Sequence, residues 1–197
     1  SNFYVSMHSL ASSVNDSLSM NEKVLWLSHK ARKELPKNSF SAKMYDFIFT
    51  SYKNNSDKSN WEKTRDEVYQ RYQKNSTDGY SYNRPFDAGI NFAASLISLF
   101  YGAGDILRTI KIGALCGWDS DNPTATWGGL LGFMIGKEGI EREFDKNNFS
   151  DTYWIHRTRR NFPDHTPNIE GEDTFELMSE RGVNIIDRII VEEMKGK

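Results

Sequence analysis

The sequence predicts an all-α fold, and two observations carry that prediction. Apolar residues recur at spacings of three and four through most of the 197 residues, whereas the alternating apolar and polar runs typical of strands are few. Stretches rich in Gly, Pro, Asn and Ser separate the periodic segments. A chain of this length buries one substantial core, so we expect a bundle of helices around a common centre.

The first half of the chain contains three candidate helices. One covers about residues 21–35 and is ended by Pro36, and Ser39 is placed to cap the next. A third helix, charged and largely exposed, is predicted over residues 61–72. Residues 75–84 are rich in Ser, Asn, Tyr and Gly without a period and are predicted to form a loop.

The most apolar helix is predicted at the centre of the fold. Residues 87–100 are apolar almost all round, as expected of a helix that is buried on every side. Gly102 breaks it, and Asp105 is placed to cap a successor with an inward-facing apolar stripe. A third central helix should follow Pro123.

The last third of the chain changes character after Gly136. Residues 137–171 carry many charges, Asn and Pro with little periodicity, and are predicted to be an irregular excursion over the surface. A final helix is expected over residues 183–194. No internal repeat or composition shift marks a domain boundary, so the chain is treated as one unit.

Composition excludes several classes of protein. Because 25 basic and 27 acidic side chains leave a net charge of −2, wholesale wrapping of nucleic acid is not expected. The single cysteine, Cys116, cannot form an internal disulfide, so a reducing, cytoplasmic location is the default expectation. No run approaches the roughly 18 apolar residues that a membrane span needs. Since Ser1 rather than Met opens the chain, we expect it to start inside a larger protein.

An acidic segment between two apolar helices carries the chemical signal. It is read as GWDSDNPTATWGGLLG, residues 117–132. Asp119, Asp121 and Asn122 put several hard oxygen donors on one short turn, which is what Mg²⁺ or Ca²⁺ requires. Pro123 suits the first position of a helix, so the carboxylates should lie at the positive end of a helix.

The predicted helix after the acidic segment has one side stripped of side-chain bulk. Small residues recur there at spacings of three and four: Ala125, Gly128, Gly129, Gly132 and Gly136. One interpretation is a neighbouring helix packed closely against this side. The other is that ligand atoms reach the backbone near the helix start, where N–H groups favour a phosphate.

Other Asp-x-Asp sites fit poorly. A calcium-binding helix-loop-helix needs glycine at the sixth loop position and glutamate at the twelfth, but counting from Asp119 these are Thr124 and Leu130. A glycosyltransferase metal motif or a phosphatase nucleophile normally follows a strand of an α/β sheet, whereas residues 106–116 have helical spacing.

Residues 91–136 resemble the C-terminal signature of the ADP-ribosylglycohydrolase family. In that signature a Gly-x-Asp-[Thr/Ser]-Asp-x turn precedes a helix of small residues, and an apolar helix containing Asn and a Gly-x-Gly-Asp turn come before it. Residues 4–16 and 156–163 are similar to one branch of the family, so the resemblance covers the whole chain. It implies that residues 1–197 form the C-terminal part of a single domain, a compact orthogonal helical bundle.

The resemblance implies a site with two Mg²⁺ ions that hydrolyses a glycosidic bond at the anomeric carbon of ADP-ribose. The substrate would be an ADP-ribosylated molecule or a small ribosyl compound. The family's late metal ligands fall on Asp119 and Asp121, followed by Asn122 where the family commonly has Thr. Gly117, Trp118 and Asn91 are the candidate substrate-binding residues, for which the alternative roles are packing for Trp118 and satisfaction of a helix end for Asn91.

One departure from the family pattern opens an alternative. Members take their other ligands from an early Thr-Asp-Asp motif, but here Thr77-Asp78 is followed by Gly79. The general acid or base is therefore unassigned, and the missing N-terminal half of the fold is a candidate partner. A catalytically incomplete ADP-ribose-binding or regulatory module is the alternative, and a structural domain that self-associates through its glycine face is a third.

Two further groups were weighed as binding or catalytic residues. A basic cluster could engage a diphosphate or an acidic protein, although such runs are usually solvated faces: His156, Arg157, Arg159 and Arg160. Cys116 precedes the acidic segment, but it has no His nearby in sequence, so a small buried hydrophobe is the default interpretation.

Overall fold

The structure is a computed structural model that describes residues 2–84, 86–154 and 172–195. It is helical, which confirms the predicted all-α class. The helices are α1 (Asn2–Leu10), α2 (Met20–Lys33), α3 (Phe40–Asn54), α4 (Glu62–Val68), α5 (Ala88–Gly102), α6 (Ile106–Leu115), α7 (Asp121–Phe144) and α8 (Phe175–Glu192). Two short strands, β1 (Thr152–Trp154) and β2 (Glu172–Thr174), precede α8. The chain divides into two compact units, Ser1–Asp145 and Lys146–Lys197.

Helix α5 forms the centre of the first unit, as predicted. Every residue from Ile90 to Gly102 is buried, and α5 packs against α3, α6 and α7. Asp87 caps its amino end by accepting a hydrogen bond from the Gly89 N–H. Asp105 caps α6 in the predicted way, because its carboxylate accepts from the Arg108 N–H at 2.8 Å.

The amino-terminal helix α1 was not predicted and completes the core. It buries Phe3 and Met7, and the Phe3 ring meets Phe92 of α5 edge to face, with centroids 5.1 Å apart. Trp127 of α7 is fully buried, and its indole N–H donates to the Ser95 carbonyl at 2.8 Å. The core is therefore a network of aromatic rings whose indole donor is satisfied by α5.

Residues 61–72 are more buried and less regular than predicted. Trp61, Val68 and Tyr72 are all buried, so a segment predicted to be largely exposed contributes three side chains to the core. Helix α4 ends at Val68 and continues as a π-helical turn, Tyr69–Lys74, which the apolar spacing does not predict. The predicted loop that follows contains a single 3₁₀ turn at Thr77–Gly79.

Helix α7 differs from the prediction at its start and in its second half. It begins at Asp121, so Pro123 is its third residue rather than its first; the missing N–H is still harmless, because first-turn donors have no intrahelical partner. Residues 137–144 are helical, not irregular. Gly136, with φ +69°, kinks the helix and allows it to continue in a new direction.

The small residues of α7 serve packing at two positions. A Cβ atom added to Gly128 would lie 3.7 Å from Ile110 of α6, and one added to Gly132 would lie 3.3 Å from Ile140 beyond the kink. A Cβ at Gly129 would meet nothing within 4 Å among the described residues. The contacts with Ile110 and Ile140 support the first interpretation of these small residues, close packing of a neighbouring helix.

The second unit contains the strand pair and the last helix. Strand β1 pairs antiparallel with β2, with Thr152 opposite Thr174, inside the region predicted to be irregular. Helix α8 begins at Phe175, eight residues before the predicted start, because Thr174 caps it by accepting from the Leu177 N–H at 3.1 Å. The basic cluster at residues 156–160 lies outside the described residues. None of the described helices combines the length and apolarity needed to cross a bilayer.

Candidate functional site

The acidic turn, residues 117–122, connects α6 to α7 through a reversal of the backbone. Gly117 has φ +93° and Trp118 has φ +56°, so both adopt the left-handed region. Glycine does so freely, but a bulky residue such as tryptophan does so only where its surroundings hold it. The turn delivers Asp119 just before the first residue of α7, Asp121.

The carboxyl groups of Asp119 and Asp121 converge. They are close enough to share a hydrogen bond, and this raises the pKa of the Asp119 carboxyl; partial burial and the nearby negative charge raise it further. The Asn122 N–H donates to the Asp119 carbonyl at 3.1 Å, which closes the turn. Two acidic side chains held together in this way favour a proton or a cation between them.

Asn91 ties the acidic turn to the centre of the fold. Its side chain is 3% exposed, its Oδ1 accepts from the Asp119 N–H at 2.9 Å, and its Nδ2 donates to the Asp87 carbonyl at 3.0 Å. Asn91 therefore reaches the acidic turn through its Oδ1 and contacts the start of α5 through its Nδ2. Both ends of the Asn91 amide form hydrogen bonds within the protein. A contact between Asn91 and substrate stays a prediction.

Trp118 and Gly117 come directly before Asp119 in the turn. The Trp118 indole N–H donates to Gln73 Oε1 at 2.9 Å, and the ring packs partly against the core. Packing is thus an observed role of Trp118, and stacking on a base or ribose stays a prediction. Gly117 is exposed, with no described atom within 4 Å of where its Cβ would be.

A cavity of about 500 Å³ opens beside the acidic turn. Asp119, Asn122 and Asn91 line it, whereas Asp121, Trp118 and Gly117 do not. Most of the remaining wall is aromatic: Phe3, Tyr4, Phe40, Tyr80, Phe86 and Phe92. Sequence reasoning missed these residues, because they come from α1, α3, α5 and the loop before α5, which only the fold brings together.

Tyr80 is a fixed part of the cavity wall. Its hydroxyl donates to the Asp87 carboxylate and accepts from the Ile90 N–H at 2.9 Å. Burial, followed by the hydrogen bond to the Asp87 carboxylate, raises the pKa of Tyr80 above its ordinary value. The Tyr80 ring also occupies the space that a Cβ atom at Gly89 would need, so glycine is the residue that fits at that position of α5.

The acidic turn brings oxygen donors together but does not by itself make a complete cluster of metal ligands. Within residues 2–84, 86–154 and 172–195, no group of three or more His, Cys, Asp or Glu side chains meets in a metal-binding arrangement. Thr77-Asp78 is the pair that most resembles the start of a Thr-Asp-Asp motif. Its carboxylate forms an ion pair with Arg71 at 2.8 Å. The turn therefore offers oxygen donors from the side chains of Asp119, Asp121 and Asn122, together with the Ser120 hydroxyl.

Cys116 has the properties of a packed hydrophobe. It is 3% exposed, and burial raises the pKa of its thiol to about 12. Nucleophilic chemistry needs the thiolate, which this environment disfavours. Cys116 lies next to the acidic turn because it is the buried residue that follows the last residue of α6.

Comparison with known proteins places the chain in a family. A family model for ADP-ribosylglycohydrolase matches residues 5–171. The chain therefore belongs to the ADP-ribosylglycohydrolase family, as its resemblance predicted, and this membership suggests glycosyl hydrolase activity on ADP-ribose-like compounds. Neither the curated proteins nor the solved structures compared with it gave a significant match.

Proposed function

We propose that this chain supplies the late half of a Mg²⁺-dependent hydrolase site, in which Asp119, Asp121 and Asn122 are metal ligands. The bond cleaved is a glycosidic bond at the anomeric carbon of ADP-ribose or of a related ribosyl compound. One observation carries the proposal: two carboxyl groups converge beside a cavity with an aromatic wall. Family membership supports the reaction class.

The residues of the acidic turn suit a hard divalent cation. Carboxylate and amide oxygens are the donors that Mg²⁺ prefers. The pKa of Asp119 is raised chiefly by its hydrogen bond with the Asp121 carboxyl, and a cation between the two carboxyl groups would take the place of the shared proton. Two ions need more ligands than this turn provides, so we expect the others from the early part of the same fold.

The aromatic cavity supports the proposed substrate class. Its volume of about 500 Å³ lies within the roughly 300–1,000 Å³ typical of small-molecule pockets. The rings of Phe40 and Phe86 are 50% and 75% exposed at its edge, so they offer apolar faces to a base or a ribose. Asn91 meanwhile holds the Asp119 backbone, which fixes the carboxylate relative to that wall.

When bound, Mg²⁺ would orient the ribose hydroxyl groups and stabilise charge that develops at the scissile bond. The residues of this chain hold the sugar nucleotide against the acidic turn and keep Asp119 oriented. The group that donates or accepts the proton at the leaving atom is not assigned to any residue of this chain.

A second candidate function is binding of ADP-ribose without turnover. The observation that favours it is that the turn supplies two carboxylates, whereas a two-metal site needs further acidic ligands. Such a module would keep the aromatic cavity and recognise ADP-ribose with a weakly bound metal or none. The two candidates differ in whether ADP-ribose is released from a linked substrate.

Mg²⁺ titration and an ADP-ribose release assay test the proposal on Asp119→Asn and Asp121→Asn variants of the complete protein, in which the early ligands are present. Each substitution removes a charge while keeping the shape of the side chain, so we expect the fold to persist and both Mg²⁺ binding and release to be lost. Asp16→Asn is the matched control, because Asp16 is exposed and pairs only with Lys23, at 3.5 Å, among the described residues.

Two results would contradict the hydrolase assignment. Wild-type release rates in either variant would exclude Asp119 and Asp121 as ligands. ADP-ribose binding by the complete wild-type protein without release, under conditions where Mg²⁺ saturates the acidic turn, would instead favour the binding module.

A further inference from the structure

The acidic turn is held from a side that the proposed reaction does not use. The Trp118 indole N–H donates to Gln73 Oε1 at 2.9 Å, a contact between residues 45 positions apart in sequence. Asn91 holds the same turn from the cavity side through the Asp119 N–H. Two side chains from outside the turn therefore hold it, one at the Trp118 indole and one at the Asp119 N–H.

The backbone at Trp118 needs such a tie. A residue with a Cβ atom in the left-handed region is disfavoured by roughly 1–2 kcal/mol, and Trp118 has φ +56°. Neighbouring Gly117 has no described atom near its Cβ position and offers no packing to resist relaxation. The Gln73 contact is the hydrogen bond that the indole makes, so it opposes a return of Trp118 to an ordinary conformation.

The π-helical turn presents Gln73 to the indole. Its wider spacing is seen where the Asn75 N–H bonds to the Gln70 carbonyl at 3.1 Å, five residues back. The turn itself is well anchored: Tyr72 is buried, and the Arg71 guanidinium lies 4.6 Å from the centre of the Phe47 ring while pairing with Asp78. Gln73 is thus an acceptor on a firmly held segment.

We propose that Gln73 is a positioning residue for the acidic turn. By accepting the indole N–H it keeps Trp118 in the left-handed conformation, and the turn then directs the Asp119 and Asp121 carboxyl groups toward each other. The consequence for metal binding rests on the proposed function. The consequence for the conformation of the turn does not, because it exists without a metal.

The test uses Gln73→Leu, which removes the acceptor at similar size, and Gln73→Glu, which keeps an acceptor. Gln70→Leu is the matched control, since Gln70 lies on the same π-helical turn, is exposed and makes no side-chain hydrogen bond with the described residues. Trp118→Phe removes the donor. Combining it with Gln73→Leu completes a double-mutant cycle.

Amide hydrogen exchange of metal-free protein reads the turn directly. The Asp119 N–H is protected by Asn91 only while the turn keeps its shape, so we expect it to exchange about tenfold faster or more in Gln73→Leu. Gln73→Glu and Gln70→Leu should behave as wild type.

Residues that orient metal ligands typically contribute 10- to 100-fold to affinity, so Gln73→Leu should raise the Kd for Mg²⁺ by at least about tenfold.

The cycle separates this proposal from its rivals. If Gln73 acts through the indole, Gln73→Leu should have no further effect in the Trp118→Phe background. Equal effects in both backgrounds, or unchanged Asp119 exchange in Gln73→Leu, would overturn the positioning role. Failure of the wild-type chain to bind Mg²⁺ would instead defeat the proposed function, and the exchange rates would still decide the role of Gln73.

Discussion

The core around α5 and the acidic turn at its amino end use polar groups in opposite ways. In the core, the Tyr101 hydroxyl meets Asn55 at 3.0 Å and Thr64 at 2.7 Å, so its hydrogen-bonding capacity is used within the protein. At the acidic turn, the carboxyl groups of Asp119 and Asp121 face each other, and their hydrogen bond, followed by partial burial and like charge, raises the pKa of Asp119. The core is arranged for stability, whereas the turn is held by its neighbours in an arrangement that stability alone would not select.

The largest expected effect lies in the core. Trp127→Ala removes a fully buried ring together with its hydrogen bond to the Ser95 carbonyl, so we expect a loss of about 3–5 kcal/mol in the free energy of unfolding. Phe133→Ala is the control on the same helix, because Phe133 is 63% exposed and should change stability by less than about 0.5 kcal/mol. Urea denaturation measures both, and equal losses would show that the division between core and surface of α7 is wrong.

A smaller effect is expected for Tyr45→Phe. Tyr45 is buried and its hydroxyl lies 3.1 Å from that of Ser28, so the loss at neutral pH should be about 1 kcal/mol. Burial raises the pKa of Tyr45 to about 12, above its ordinary value near 10. The unfolded chain therefore ionises first, and wild-type stability should fall as pH rises from about 10 to 12.

The phenylalanine variant sharpens that measurement, because it lacks this ionisation. Its stability should fall less steeply over the same pH range, and the difference between the two curves isolates Tyr45 from the other tyrosines. Parallel curves for wild type and Tyr45→Phe would mean that the hydroxyl is hydrated in the folded protein.

The smallest effect is expected at the acidic turn, and its sign is opposite. In metal-free protein at neutral pH, Asp119→Asn removes one of two converging charges, so we expect a modest rise in Tm. Because the folded pKa of Asp119 is raised, its favourable contribution is present below the ordinary pKa of about 4 and is lost as pH rises through the folded value. Thermal melts from pH 4 to 7 should therefore show the variant's advantage growing with pH; an advantage that shrinks would refute the convergence of the two carboxyl groups.

Local sequence signals predicted the parts of the fold that depend on neighbours in the chain. Ser39 and Asp105 cap their helices as expected, since a cap needs only a backbone N–H two or three residues away. The start of α7 was misjudged because Pro123 is tolerated anywhere in a first turn, so its presence does not fix the first residue. The helical segment after Gly136 was missed because its charges obscure the apolar period.

The sequence by itself determined the helical class and the position of Asp119, Asp121 and Asn122 on one short turn, because both follow from spacing along the chain. Only the tertiary structure decided that Tyr80 and Phe40 face that turn across a cavity and that Gln73 and Asn91 hold it from two sides. These contacts join residues tens of positions apart. Which residues meet depends on how the helices pack and on a π-helical turn. Neither of these produces a periodic pattern of apolar residues in the sequence.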